Sequence, residues 1–374
     1  MRFSGTASLV TAVTLATGLL ALPTAVAASS SGVDTAPQHV PAAADDDSPV
    51  RVVEVPVTGA RIAPRSTATY SMVGVTWQGT DPKLQVRARG TQGWGEWLTP
   101  EVLDDGPDGG ETSRRRATQP LWVGPSDGVQ IRTSGTGHRD LALVLIDPGV
   151  LASDRTAGRA PDAAARAVAP ESERAPRPWL LSRARWGADP SLRDGSPRYN
   201  AGLRQVHVHH TATGNSYSRA DVPGILRGLY SYHTQTLGWS DLGYNFLVDR
   251  FGRAWVGRAG GVSRLVRGAH TLGFNHSSVG IAVIGNFEDA PPTQKAITKV
   301  VRLAAWKLDR HRRDAKGRVV VTSEGSDRYA AGRRVRLFVI SGHRATNETA
   351  CPGEMLHDRL PAIRRRAQKR INSY

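Results

Sequence analysis

The stretch from residue 151 to residue 178 most constrains the fold, because it separates two parts of the chain with different residue patterns. It is rich in Ala, Arg and Pro and has almost no large apolar side chains, which is typical of a linker. The chain has 374 residues, enough for a domain on each side of this stretch. We therefore predict one domain over residues 50–150 and another over residues 179–374.

The first part consists of short runs of β-forming residues separated by Gly, Pro and Asp clusters. Such spacing predicts an all-β sandwich or barrel. Within it, the Gly93–Trp97 segment could place aromatic rings on a ligand surface, or could equally be a strand with one buried tryptophan. We find no clustered His, Cys or paired carboxylates that suggest catalysis, so we expect an accessory domain. The predicted strands are Val52–Val57, Thr69–Trp77, Leu84–Arg89, Leu121–Val123, Val129–Thr133 and Leu141–Ile146.

The second part mixes helical and strand patterns. Ser218 and Asp221 form a capping-box signature before a helix, and Thr293 can cap another. The continuous apolar run Val279–Ile284 suits a strand that is covered on both faces. We predict an α/β fold with a mixed central β-sheet flanked by helices, preceded by the smaller all-β domain. Its other elements are the strands Val206–His210, Tyr244–Val248, Ala254–Val256 and Val335–Ile340, and a final helix opened by Pro352.

The N-terminus has the features of an export signal. Arg2 precedes an apolar run from about Leu9 to Leu22, and Ala25-Val26-Ala27 fits a signal-peptidase site. We predict a signal peptide over residues 1–28 and a disordered leader over residues 29–49. An uncleaved anchor is the alternative, but the run is shorter than the roughly 20 residues needed to span a bilayer. The mature protein is therefore expected to be extracellular, cell-wall associated and without a stable membrane span.

The positive charge is concentrated near the C-terminus. The formal net charge is +16, and residues 295–374 contain 20 basic and 7 acidic residues, a net of +13. Such a surface suits anionic wall polymers, although a solvated arginine-rich face explains it equally well. Export and the lack of a recognised nucleic-acid motif argue against a nucleic-acid binder.

The chain has one cysteine, which excludes an intramolecular disulfide, an iron–sulfur cluster and an all-cysteine zinc site. His209 lies at the end of a predicted strand, His343 follows another, and Cys351 precedes a predicted helix. Two imidazoles and one thiolate leave the fourth tetrahedral position open, as in catalytic zinc sites. Spacing alone is weak support, because a single histidine is more often packed or on the surface.

Five motifs in order along residues 181–360 resemble the zinc-dependent N-acetylmuramoyl-L-alanine amidases of the peptidoglycan-recognition-protein type, which are related to the phage lysozyme-named amidases. The overall richness in Ala, Arg, Gly and Val is typical of high-GC bacteria and suggests an actinobacterial form. The motifs are Ser182–Ala188, His209–Ala212, Asp241–Phe246, Gly268–Phe287 and Gly342–Pro352.

The resemblance implies a site for zinc and two catalytic polar groups. It implies Zn²⁺ bound by His209, His343 and Cys351, with Tyr244 as a catalytic hydroxyl and Thr349 as a second polar group near the scissile carbonyl. Phage enzymes have lysine at the position of Thr349, whereas active animal recognition proteins have threonine. Non-catalytic recognition proteins typically lose the cysteine, so its presence favours an enzyme.

The resemblance gives less specific roles to the other positions near the predicted site. His270 matches a cleft position and is a candidate substrate contact, while His207 either lines the cleft or packs in the core. Ala282 and Val283 occupy the strand in which another amidase branch has a glutamate, so we do not expect that base. We predict a secreted zinc amidase that cleaves the bond between N-acetylmuramic acid and L-alanine in peptidoglycan. The alternative is a non-catalytic peptidoglycan-binding protein.

Overall fold

The computed structural model describes residues 50–108, 115–157 and 174–374. The predicted signal peptide, the predicted leader and the middle of the predicted linker lie outside these residues. Across the described residues, no helix is long and apolar enough to cross a membrane.

The first domain is a seven-stranded sheet in the order β1-β7-β2-β6-β3-β4, with β5 paired to β2. All of these pairings are antiparallel. Its core contains Val75, Trp77, Ile131 and Leu143. The all-β prediction is confirmed. The strands are β1 Arg51–Pro56, β2 Arg61–Gly79, β3 Lys83–Gly90, β4 Gly93–Trp94, β5 Arg116–Ala117, β6 Leu121–Ser134 and β7 His138–Asp147.

Two of the strands predicted in this domain form one. Leu121–Val123 and Val129–Thr133 both belong to β6, although Gly, Pro, Ser and Asp residues between them predict a turn. The partner strand β2 shifts register twice between Ser66 and Met72 and so follows this irregular stretch without ending the ladder. Bulges of this kind let a strand continue through residues that suit a turn.

The second domain has a five-stranded sheet in the order β10-β9-β11-β8-β14. Strands β9, β11, β8 and β14 are parallel, and β10 is antiparallel to β9, so the mixed sheet is confirmed. A separate antiparallel pair, β12 with β13, lies outside this sheet. The elements are β8 Gln205–His210, α1 Asp221–Ser231, β9 Phe246–Val248, β10 Ala254–Val256, β11 Ser278–Val283, α2 Gln294–Arg310, β12 Arg318–Thr322, β13 Arg334–Phe338, β14 Ile340–Gly342, α3 Glu354–His357 and α4 Leu360–Ile371.

Two predictions for the C-terminal part were wrong. The predicted strand Val335–Ile340 is divided between β13 and β14, which belong to different sheets, and β12 was not predicted. The single helix expected from Pro352 is two helices. Pro361 occupies the first turn of α4, where a proline is tolerated, whereas inside a continuous helix it would remove a hydrogen bond and clash with the preceding turn.

The two domains share a hydrophobic core, and the described residues all belong to one compact unit. Met72 and Ile146 from the first domain lie in the same buried cluster as Leu226 and Leu229 of α1. A side chain at Gly228 would collide with the sulfur of Met72, so the helix approaches the sheet closely. The first domain is therefore packed against the second through apolar contacts.

A buried ion pair adds to this interface. Arg227 of α1 is 1% exposed and lies 2.8 Å from the carboxylate of Asp154, which follows β7. The guanidinium also donates to the carbonyls of Pro148, Gly149 and Trp186. The described residues 151–157 of the predicted linker thus lie within the contact between domains, with a short 3₁₀ helix over Ala152–Arg155.

Candidate metal centre

Neighbouring parallel strands bring two predicted ligands together. His209 is the penultimate residue of β8, and His343 directly follows β14, which pairs with β8. The carboxyl ends of parallel strands lie at one edge of a sheet, so the two imidazoles meet there. Cys351 reaches the same place from the following loop, with its Sγ 3.7 Å from His209 Nδ1. The three donor atoms lie within 4.8 Å of one another.

The chemistry of these donors fits a zinc ion. His209 Nε2 lies 3.1 Å from His270 Nδ1, and a hydrogen bond donated by Nε2 leaves His209 Nδ1 with a lone pair facing Cys351 and His343. An imidazole held by a partner on its other nitrogen is the usual form of a metal-binding histidine. Two imidazoles and one thiol are a donor set that tetrahedral zinc accepts.

Burial opposes charge on each of these residues. It lowers the pKa of His209 well below its usual value and that of His343 to about 3, so both imidazoles are neutral. It also raises the pKa of the Cys351 thiol well above its usual value. A thiolate here therefore requires a nearby positive charge, which a bound metal ion supplies.

A carboxylate from the first domain completes the cluster. Asp105 Oδ1 lies 3.2 Å from His343 Nδ1 and 3.7 Å from His209 Nδ1. Its Oδ2 accepts a 2.5 Å hydrogen bond from the hydroxyl of Tyr244. Burial raises the pKa of Asp105 to about 8. Sequence reasoning missed this residue, although the adjacent pair Asp104-Asp105 is itself a signal of clustered carboxylates.

Asp105 belongs to a segment, residues 101–108, that we call the strap. One end is held by Glu101. One of its carboxylate oxygens lies 2.9 Å from His210 Nε2, and the other accepts a 3.2 Å hydrogen bond from the side-chain Nδ2 of Asn286. At the other end, Asp108 Oδ1 accepts bonds of 2.7 Å from the Gly273 amide and 2.9 Å from the Asn275 side chain. The strap crosses the cleft between these two anchors.

The strap also engages the two predicted catalytic groups. Tyr244 is fully buried, and burial raises the pKa of its hydroxyl well above the usual value, so it remains a donor. Thr349 hydrogen-bonds the carboxyl group of Asp104, and its Oγ1 accepts a 3.2 Å bond from the Cys351 amide. Both groups lie beside the three donor atoms, and both contact the strap.

The other two predicted site residues are buried beneath the cluster. His270 is fully buried behind His209, to which it is hydrogen-bonded. His207 is also fully buried, with its ring centroid 6.3 Å from that of His270. Burial lowers the pKa of His207 to about 4, so its imidazole is neutral. Ala282 of β11 is the residue paired with His209 of β8. This is the strand in which another amidase branch has a glutamate.

Two family models match the sequence. The model described as N-acetylmuramoyl-L-alanine amidase matches residues 199–354, which include every predicted site residue. The model described as Rv3811 N-terminal galactose-binding domain-like matches residues 29–173, which include the strap. The cluster around His209 therefore contains residues from segments that match two different family models.

The chain is also similar to individual proteins. The chain is 30% identical to peptidoglycan-recognition protein SC2 of Drosophila simulans over 174 residues, which are 46% of this chain and 80% of the relative. It is 32% identical to the human N-acetylmuramoyl-L-alanine amidase over 188 residues, 49% of this chain and 28% of that protein. The solved structure of wild-type Drosophila PGRP-LB aligns with a TM-score of 0.39 at 27% identity, covering 49% of this chain and 93% of that one.

The similarity to SC2 extends over most of that protein, and the match to the amidase model contains the whole histidine–cysteine cluster. The resemblance seen in the sequence motifs is thereby confirmed. Through its second domain, the chain belongs to the family of the peptidoglycan-recognition proteins and N-acetylmuramoyl-L-alanine amidases.

Proposed function

We propose that the protein is a secreted, zinc-dependent N-acetylmuramoyl-L-alanine amidase. It hydrolyses the amide bond between N-acetylmuramic acid and L-alanine in peptidoglycan. The convergence of His209, His343 and Cys351 carries this proposal, because two imidazoles and one thiol lie together in a donor set that suits catalytic zinc and leaves one tetrahedral position. Bound there, zinc supplies Lewis-acid activation of the scissile carbonyl and of a water molecule.

The protein's own residues prepare this chemistry in three ways. His270 holds the imidazole of His209 in the orientation that leaves Nδ1 for the metal. Tyr244 remains protonated and donates a hydrogen bond to the oxygen that becomes negative during hydrolysis. Thr349, which lies beside Cys351, is the second donor to that oxygen.

The charge of the C-terminal region and the N-terminal sequence fit a wall-bound enzyme. The helix α4 carries Arg365 and Lys369 on its exposed side, within the basic C-terminal region. These cations attract anionic wall polymers, and salt weakens such attraction by screening. The N-terminal residues supply the export signal, so the substrate is the extracellular wall polymer.

The decisive experiment compares metal content with the ends released from peptidoglycan. The purified protein, its Cys351→Ala variant and a control His311→Ala variant are each loaded with zinc, dialysed and incubated with peptidoglycan. Because the strap covers the cleft, a chain with Glu101→Ala and Asp108→Ala is assayed beside them. We expect about one zinc per chain in all but Cys351→Ala, whose zinc content falls because this variant lacks the thiolate donor.

Mass spectrometry then identifies stem peptides with a free L-alanine amino group. We expect them from the Glu101→Ala, Asp108→Ala chain, which we call the loosened chain, and not from Cys351→Ala. A chelator should stop their release. If zinc is retained and no chain releases more of these peptides than Cys351→Ala does, the enzyme assignment is wrong. The non-catalytic peptidoglycan-binding alternative then replaces it.

A further inference from the structure

We propose that Asp105 is the fourth ligand of the metal, and that the strap thereby holds the protein in a closed, latent form. The term latent rests on the proposed amidase function, whereas the ligand assignment rests on geometry alone. The strap belongs to the first domain, so the inhibitor and the site it closes are parts of one chain. Hydrolysis then requires the strap to leave the cleft.

Three separations among these four ligand atoms are close to those expected around one tetrahedral ion. Metal–ligand bonds of about 2.0–2.1 Å to nitrogen and oxygen and about 2.3 Å to sulfur place neighbouring ligand atoms about 3.3–3.6 Å apart in a tetrahedron. Asp105 Oδ1 lies 3.2 Å from His343 Nδ1 and 3.7 Å from His209 Nδ1. Cys351 Sγ lies 3.7 Å from the same nitrogen of His209. Each separation is within a few tenths of an ångström of that expectation.

The hydrogen bonding of Asp105 points the same way. Its Oδ2 accepts a bond from Tyr244 and a longer one, 3.4 Å, from Gln119. Its Oδ1 accepts no hydrogen bond from the described residues, although the side chain is only 2% exposed. A buried carboxyl oxygen without a hydrogen-bond partner is costly. A cation among these atoms satisfies all of them at once.

The strap contacts the histidines of the metal site and both of the predicted donor groups. Asp105 takes the open metal position, its other oxygen takes the Tyr244 hydroxyl, and Asp104 takes Thr349. His209 and Tyr244 have no exposed surface beneath it. A substrate carbonyl therefore competes with the strap for the metal and for both donors.

Opening is a movement of the strap rather than of the whole domain. The first domain shares a core with α1 through Met72 and Ile146, and the buried Arg227–Asp154 pair joins them. The strap makes no long strand pairing, since its bridge is the single pair Val102–Thr118. Anchors that are mainly side-chain hydrogen bonds can be released while the domain interface remains.

Cobalt(II) in place of zinc tests the ligand assignment, because its visible absorption reports the coordinating atoms. The full chain is compared with Asp105→Ala, with Asp105→Asn in case alanine impairs folding, and with Asp127→Ala, an exposed acid of the same domain. We expect changed absorption bands and a response to azide in the Asp105 variants only. We also expect their zinc affinity to fall at least about tenfold, as for loss of a group that supports a metal site.

Identical bands and azide responses in the full chain and both Asp105 variants would overturn the assignment. A carboxylate that merely bonds the ligands changes affinity without changing the coordinating atoms, so the spectrum separates the two roles. This result does not depend on any activity.

Turnover at saturating zinc tests latency. We expect turnover to rise at least about tenfold in the Glu101→Ala, Asp108→Ala chain. If the strap is docked in more than about nine molecules of ten, fewer than about one in ten is active in the full chain. Altered cobalt bands without hydrolysis by any chain would uphold the ligand and reject the amidase function. If the full chain hydrolyses peptidoglycan as fast as the Glu101→Ala, Asp108→Ala chain does, latency is overturned. If adding Asp105→Ala to the Glu101→Ala, Asp108→Ala chain abolishes hydrolysis, Asp105 is a catalytic residue rather than an inhibitor.

Discussion

The edge of the five-stranded sheet and the strap place polar groups in the same pocket by different means. His209 and His343 are fixed at the ends of hydrogen-bonded parallel strands. Asp105 is held by a segment without regular structure, whose anchors are side chains such as Glu101 and Asp108. Segments with few backbone ladder bonds open at lower free energy than core strands. We therefore infer that His209 and His343, with the sheet that holds them, form a rigid part of the site, which we call the framework. The strap is a segment that can leave it.

We expect the interface between the domains to be as stable as the framework, and replacing Asp154 tests this. In Asp154→Ala, the buried guanidinium of Arg227 loses its partner. Removing one member of a buried pair costs about 3–5 kcal/mol. We expect a loss of this size in the free energy of unfolding, measured in urea. The exposed pair Arg51–Asp147 is the control, and Arg51→Ala should cost at most about 1 kcal/mol. Equal losses in the two variants would show that the domains are joined only loosely.

Tyr244 lies where framework and strap meet, and its hydroxyl has a different partner in each state. In the loosened chain with Glu101→Ala and Asp108→Ala, that hydroxyl is free to stabilise the developing oxyanion. We expect Tyr244→Phe in this background to lower turnover on the order of 100-fold, about 2.7 kcal/mol, with zinc content unchanged.

Tyr70→Phe is the matched control for this prediction, because its buried hydroxyl donates to Gly128 in the first domain, far from the metal ligands. It should lose about 1 kcal/mol of stability and no turnover. If Tyr244→Phe retains the turnover of its parent, the hydroxyl has no catalytic role.

The framework could be predicted from the sequence because its signals are local. Val279–Ile284 is apolar throughout, and the observed β11 is buried on both faces. The histidines follow predicted strands, and parallel pairing then brings them together. Val335–Ile340 shows the limit of such reasoning. An apolar run does not reveal that the chain changes sheets between Phe338 and Ile340.

The strap could not be located in the same way. Asp104 and Asp105 precede His209 by about a hundred residues, in a domain whose pattern indicates only strands and turns. Their position depends on how Met72 and Ile146 pack against α1, which no local pattern encodes. Adjacent carboxylates in a loop are more often solvated than buried, so their chemistry becomes visible only when the domains are assembled.

The smallest expected effect concerns the far anchor of the strap. Burial, with a smaller contribution from the charge of Glu324, raises the pKa of Asp108 from its ordinary 3.8 to about 6. Docking therefore favours the protonated acid, and its stabilisation is complete below about pH 4 and is lost as the pH rises through about 6. Asp108→Asn keeps the Oδ1 acceptor for Gly273 without this titration. We expect it to hold the strap more tightly than the parent at pH 7, where the parent's Asp108 is ionised. Hydrogen exchange of the Gly273 amide, corrected for its intrinsic rate, measures this. The parent should lose protection between pH 4 and pH 6 while Asp108→Asn does not, and parallel profiles would mean that Asp108 does not control the strap.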